Sequence, residues 1–248
     1  MISAQYIIKA LGVTKEYSSR KRLSDFVLHP LKNYKNLVLD NIDIELKRAE
    51  LVYLFGLNGA GKTTLLKILS GILLPSKGEV YIDSVKIDNT QKLKERVGFV
   101  SGDERSFYWR LTAYDNLKFF GALYGIASKD LNKRLEELFC LFGIDNPNKR
   151  FYEYSSGFMQ KFCIIRALFH NPDILLLDEP TKNMDYISKE KLLIFVKDNL
   201  VAKQKKAVII AGSSLDNLDF YNRLIILHKA KVKAQGNKDD IKKLLNCE

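Results

Sequence analysis

The stretch Leu51-Val-Tyr-Leu-Phe55 is continuously apolar and runs directly into Gly56-Leu57-Asn58-Gly59-Ala60-Gly61-Lys62-Thr63-Thr64. The second stretch satisfies GxxxxGK[ST] in full. A buried strand feeding a glycine loop that opens a helix constrains the fold more than any other feature. Backbone that wraps closely around an anion needs Gly56, Gly59 and Gly61, because a Cβ would clash and positive φ must be allowed. Successive amides then form a nest, and the helix beginning at Lys62 adds the positive end of its dipole. The site is suited to phosphate. Lys62 is placed to reach the outer phosphates, and the Thr63 hydroxyl to ligate Mg²⁺.

A second element completes that chemistry. Ile174-Leu-Leu-Leu-Asp178-Glu179-Pro180 is an apolar strand that ends in two acids. Exposing two carboxylates at the tip of a buried strand is costly unless they meet a cation. Asp178 is expected to hold Mg²⁺, directly or through water, and Glu179 to polarise an attacking water as general base.

Around these motifs, helical and strand patterns alternate. Strands are expected at residues 6–11, 37–46, 51–55, 79–82, 97–100, 174–178, 207–211 and 223–228. Helices are expected at 62–70, 113–124, 131–142, 157–170, 188–202 and 241–245, with a turn over 71–78. The central strands are apolar throughout, which argues an α/β fold with a mostly parallel sheet covered on both faces. The helix-only stretch from about 113 to 170 interrupts the alternation and is expected to form a lobe. Residues 18–36 are polar and basic and read as an insertion.

With 248 residues, 46% of them hydrophobic, the chain can build a sizeable core. No apolar run approaches the roughly 20 residues that cross a bilayer, and the N-terminus lacks a signal-peptide pattern. A cytosolic protein is expected. The net charge of +11 suits a nucleic acid or an anionic membrane, but the lysines are spread along the chain, so no polyanion partner is inferred. Cys140, Cys163 and Cys247 are far apart and form no CxxC, so they read as isolated thiols rather than metal ligands.

With these motifs in this order, the chain resembles the nucleotide-binding subunits of ABC transporters, exporter-like, over nearly its whole length. Tyr154-Ser155-Ser156-Gly157-Phe158-Met159-Gln160-Lys161 is similar to the family's LSGGQ segment, with Ser155 and Gly157 matching directly. Tyr17 resembles the aromatic that stacks on adenine. Thr181-Lys-Asn-Met-Asp185 resembles the loop that touches the partner subunit. The resemblance implies a P-loop NTPase cassette of one domain, residues 1–248, with an antiparallel β subdomain and a helical lobe at about 102–170. It implies ATP and Mg²⁺ as ligands, and ATP sandwiched between two subunits, a homodimer. Gly56, Asn58, Gly59, Ala60, Gly61, Lys62, Thr63 and Thr64 hold one side of that ATP, and Ser155 and Gly157 of the second subunit the other.

Two departures stand against the pattern. The family carries a glutamine after the 97–100 strand, where this chain reads Val100-Ser101-Gly102-Asp103-Glu104; Gly102 falls at that position and Glu104 is a possible stand-in. It also carries a histidine after the 207–211 strand, where this chain reads Gly212-Ser213-Ser214, with Ser213 the best match and Gly212 and Ser214 left open. Slower or differently organised hydrolysis is expected. The resemblance implies a separate transmembrane permease as partner, with Tyr108 and Trp109 as candidate contacts, and a peripheral location on the cytoplasmic face of the membrane. Polysaccharide, lipid or drug-like cargo is expected. The alternatives are a soluble ABC ATPase acting on nucleic acid or ribosomes, and a switch that binds ATP without hydrolysing it.

Overall fold

A computed structural model describes residues 6–18, 35–87, 90–101, 107–182 and 184–245. Two sheets carry the molecule. A six-stranded sheet has the order β10-β9-β3-β8-β7-β6, and a four-stranded antiparallel sheet the order β2-β1-β4-β5. The first comprises β3 (Leu51–Phe55), β6 (Val97–Val100), β7 (Ile174–Asp178), β8 (Ala207–Gly212), β9 (Arg223–His228) and β10 (Lys231–Gly236). All its pairings are parallel except β9 with β10. The second comprises β1 (Tyr6–Ser18), β2 (Lys35–Lys47), β4 (Lys77–Ile82) and β5 (Val85–Lys86).

Alternation along the parallel strands divides the apolar residues between two cores. Leu51, Tyr53, Leu175, Leu177, Val208, Ile210, Leu224 and Ile226 face one cluster. Val52, Leu54, Ile174, Leu176, Ile209, Ala211, Ile225 and Leu227 face the other. Strands buried on both faces read as unbroken apolar runs, which is why the expected bounds of β3, β6, β7 and β9 match those observed. The second cluster is closed by the antiparallel sheet and by α1 (Lys62–Leu69), whose Leu65, Leu66, Ile68 and Leu69 are buried.

The first cluster is closed by α3 (Ala113–Leu123), α4 (Ser128–Phe142) and α5 (Ser156–Ala167), together with α6 (Tyr186–Phe195). The remaining helices are α2 (Thr90–Arg96) and α7 (Lys238–Leu245). The helical lobe and the sheet face therefore share one continuous core. Within it, Phe107 stacks on Phe151 at 4.4 Å, and the Arg166 guanidinium lies 4.8 Å from the Phe107 ring and 4.7 Å from that of Phe120. Gly121 is needed where α3 crosses α4, because a Cβ there would meet Leu131 Cδ1 at 2.4 Å.

Several boundaries differ from expectation. β1 runs on to Ser18, well past residue 11, because β2 and β4 pair with it on both sides. α5 ends at Ala167 rather than at 170; the chain turns out at Leu168, and His170 stacks on Tyr124 at 5.4 Å instead of extending the helix. The helix expected at 188–202 begins earlier, at Tyr186, and becomes a π-helix over Val196–Lys203. The insertion at 18–36 lies almost wholly outside the described residues, as do Gly102, Glu104 and Asn183. No described helix is long and apolar enough to cross a membrane.

Candidate active site

The parallel strands β3, β8 and β7 are neighbours in that order, so their carboxyl ends open on one edge of the sheet. This is the crevice where ligands bind in such folds. Phe55 pairs with Gly212, and Asp178 pairs with Ala211. The glycine loop after β3 and the acids after β7 thus flank the tip of β8.

The three loop glycines are required for different reasons. A Cβ at Gly56 would meet the carbonyl oxygen of Leu227, on β9, at 2.7 Å. Gly59 has φ 82° and open space around it, so only its backbone conformation demands glycine. Gly61 has φ 104°, and a Cβ there would meet the Val38 carbonyl oxygen at 2.7 Å and Leu39 Cδ2 at 2.8 Å. The fold itself, not only a bound phosphate, excludes side chains at Gly56 and Gly61. Gly61 is also the N-cap of α1 and makes no side-chain cap bond, so the first amides of the helix stay available to an anion.

Lys62 is buried, and its ammonium donates to the carbonyl oxygens of Gly56 at 2.7 Å and Leu57 at 3.3 Å. It also lies 3.8 Å from Glu179 Oε1. The loop therefore curls around its own lysine. Asn58 and Glu179 line one cleft of about 170 Å³ with Thr181, Lys182, Lys189, Ser213, Ser214 and Asp216.

Asp178 corrects one expectation. It is not exposed at the strand tip but buried, at 6% accessibility, because β8 flanks it in the sheet and α1 supplies Thr63. The Thr63 hydroxyl donates to Asp178 Oδ2 at 2.6 Å, while Asp178 Oδ1 is buried without a hydrogen-bond partner. Burial pushes the Asp178 carboxyl above its ordinary pKa, against the pull of the Thr63 hydroxyl. A buried oxygen left without a donor, beside a hydroxyl oxygen, fits a hard divalent cation that takes its remaining ligands from phosphate and water. Thr63 and Asp178 are thus suited to hold Mg²⁺.

Glu179 sits in the left-handed region at φ 48°, anchored by its amide to the Ala211 carbonyl at 2.9 Å. Lys182 Nζ lies 2.9 Å from Glu179 Oε2, which holds the Lys182 ammonium above its usual pKa. Lys182 was not among the expected site residues, because no local motif marks it. Its place follows from a turn, closed by the Lys182 amide on the Glu179 carbonyl at 3.1 Å.

At the tip of β8, Gly212 leaves room for the Tyr53 hydroxyl, which a Cβ would meet at 2.3 Å. That hydroxyl donates to the Ser214 carbonyl at 2.5 Å, and burial pushes its pKa up to about 12. A side chain at 212 would require the Tyr53 ring to shift. Ser213 is exposed and lines the cleft, and the Ser214 hydroxyl is turned to Asp216 at 2.5 Å.

Ser155 and Gly157 are not brought to this cleft. They line another, of about 360 Å³, with Phe158, Lys161, Met184, Ser188, Lys191, Leu192 and Phe195. Tyr17 is exposed at the end of β1, paired in register with Asn36, two residues before the Val38 that abuts Gly61. Tyr108 and Trp109 are exposed on the helical lobe.

The sequence pattern of the ABC transporter family matches residues 39–182, more than half of the chain. The ABC transporter ATP-binding protein NatA of Bacillus subtilis (strain 168) is 33% identical over 199 residues, covering 79% of this chain and 80% of that protein. The probable multidrug ABC transporter ATP-binding protein YbhF of Escherichia coli (strain K12) is 28% identical over 205 residues, covering 82% of this chain but 35% of that longer protein. A dimeric ATP-binding cassette solved in a post-hydrolysis state with ADP and Pi superposes with a TM-score of 0.76 at 26% identity, over 93% of this chain and 98% of that one. The parallel sheet with its phosphate loop is the α/β P-loop NTPase fold. Pattern, relatives and architecture agree: the chain belongs to the ABC transporter family and is an ATP-binding cassette, an ATPase subunit of a transporter.

Proposed function

We propose that two copies of this chain close on ATP and drive a separate export permease. Residues 56–64 and Lys62 hold the phosphates, with Tyr17 stacked on adenine. Thr63 and Asp178 hold Mg²⁺, which when bound neutralises charge on the phosphates. Glu179 takes the proton of the attacking water. Ser155 and Gly157 of the second copy complete the far side of the same nucleotide. The observation that carries this reading is the approach of Lys62, buried in a loop shaped for phosphate, to within 3.8 Å of Glu179. Behind them, Thr63 and Asp178 are 2.6 Å apart.

The separation of Asn58 and Glu179 from Ser155 and Gly157, which line two different clefts, supports pairing of copies, as does the dimeric relative with ADP and Pi. A helix N-terminus that faces outward is suited to a phosphate presented by another chain. We assign residues 1–248 to one ATPase domain, with the helical lobe at about 102–170 as its permease contact. Exposed Tyr108 and Trp109 suit that contact, because aromatics anchor interfaces well. The subunit would then sit on the cytoplasmic face of the membrane, held by its permease. YbhF is a probable multidrug ABC transporter ATP-binding protein, which supports drug-like cargo.

The deciding variant is Glu179→Gln. ATP binding should persist while steady-state turnover falls at least about 100-fold, the usual scale for loss of a general base. ATP-bound dimer should accumulate in sedimentation. Turnover like that of the parent removes Glu179 from the role of base.

A further inference from the structure

We propose that Lys182 is a second phosphate-reading lysine, one that contacts the terminal phosphate of ATP and so discriminates the triphosphate from the diphosphate. The inference rests on the ATP site described above and assigns it one further contact.

Lys182 reaches into the cleft from outside the phosphate loop. Its side chain is 63% exposed, yet its ammonium is held 2.9 Å from Glu179 Oε2. Lys62 approaches the other oxygen of the same carboxylate, at 3.8 Å. The Glu179 carboxylate thus faces two ammonium groups, of which Lys62 is buried and Lys182 is open to solvent. The cleft's other lysine, Lys189, lies 3.4 Å from Asp216, which also accepts the Ser214 hydroxyl. At the tip of β8, Ser213 lines the cleft with an uncharged hydroxyl, and the Ser214 hydroxyl is taken up by Asp216.

A terminal phosphate arriving beside Glu179 would meet a carboxylate, and like charges in contact repel. A cation between the two relieves this. The Lys182 ammonium has three donors, so it can keep Glu179 and still donate to a phosphate oxygen. Its position is set by the backbone, since the turn from Glu179 to Lys182 is closed by an amide–carbonyl bond of 3.1 Å. Lys62 lies deeper, among the loop carbonyls. This depth divides the work: Lys62 serves any nucleotide that enters the loop, and Lys182 serves only one long enough to reach the mouth.

The experiment compares the affinities of ADP and of the non-hydrolysable β,γ-imido analogue of ATP, by calorimetry with Mg²⁺ present, for the parent, Lys182→Gln and Lys182→Arg. Lys182→Gln should leave ADP affinity unchanged and weaken the triphosphate analogue about tenfold, the size of one charge-assisted contact. Lys182→Arg should restore most of the preference. An unchanged ratio in Lys182→Gln overturns the proposal, and so does an equal fall in both affinities. The change is also made in a Glu179→Gln background. Persistence of the tenfold loss there supports direct contact with phosphate, whereas its disappearance means that Lys182 acts only by neutralising Glu179 and overturns the assignment. If the parent binds neither nucleotide, the ATP-site reading itself fails, an outcome distinct from all of these.

Discussion

The helix N-termini of α1 and α5 both carry glycine and are both proposed to meet phosphate, and they are built in opposite ways. At α1 the glycine is imposed by the fold: Gly61 has φ 104° and backbone of β2 within 2.7 Å of where a Cβ would stand. The helix makes no side-chain cap bond, and its first residue, Lys62, is buried. At α5 the side chain of Ser155 caps the helix through the Phe158 amide. A Cβ at Gly157 would find nothing closer than Ser188 at 3.7 Å, ordinary contact distance. The first terminus is a finished nest within one chain. The second satisfies itself and leaves its glycine without an internal reason. In the proposed dimer, the open space beside Gly157 leaves room for the other copy's nucleotide.

Gly61→Ala tests the first half of that contrast and should have the largest effect. Alanine in the left-handed region, pressed against a carbonyl, should cost about 1–3 kcal/mol. Nucleotide binding should be lost even in protein that remains folded, as read by chemical denaturation and by ADP titration. Normal binding would show that the nest tolerates a shift of β2.

Asp178→Asn sharpens the comparison, because a finished site stores unfavourable burial. Burial raises the folded-state pKa of Asp178. For such a group the stabilising contribution is present at pH below the unfolded aspartate value and is lost as pH rises through the raised folded value. Asparagine keeps an acceptor for Thr63 and cannot ionise. The nucleotide-free variant should therefore be more stable than the parent at neutral pH, read as a higher Tm, and gain little in acid. Its Mg²⁺-dependent turnover should be lost. A destabilised variant at neutral pH would mean that the ionised carboxylate is supported by more than Thr63.

Gly157→Ala probes the second half and should move stability least. In the first turn of a helix with open space, alanine should stabilise the isolated chain by about 0.5–1 kcal/mol. ATP-driven dimerisation and turnover should nonetheless fall, while ADP affinity in the phosphate loop stays as in the parent. Unimpaired dimerisation would sever Gly157 from the partner's nucleotide.

How much of this was readable in advance follows the range of the interactions. The phosphate loop was legible because its strand, glycines, lysine and helix are contiguous, and glycine spacing expresses a local backbone need. β7 was equally plain, since a strand covered on both faces must be apolar at every position. β10 was not, because the edge strand Lys231–Gly236 alternates exposed and half-buried residues and carries lysines on its open side. The short helix Thr90–Arg96 and the π-helical end of α6 also lacked a local signal.

The site divides in the same way. The phosphate loop of Gly56 to Thr64 and the buried strand ending in Asp178 and Glu179 were legible in advance, because each depends on residues next to one another. Contacts across the fold were needed to bury Asp178 against Thr63, to bring Lys62 to Glu179, and to set the Tyr53 hydroxyl beside Gly212. The physical reason is strand order. These contacts arise because β8 enters the sheet between β3 and β7, and that neighbour relation joins segments more than a hundred residues apart.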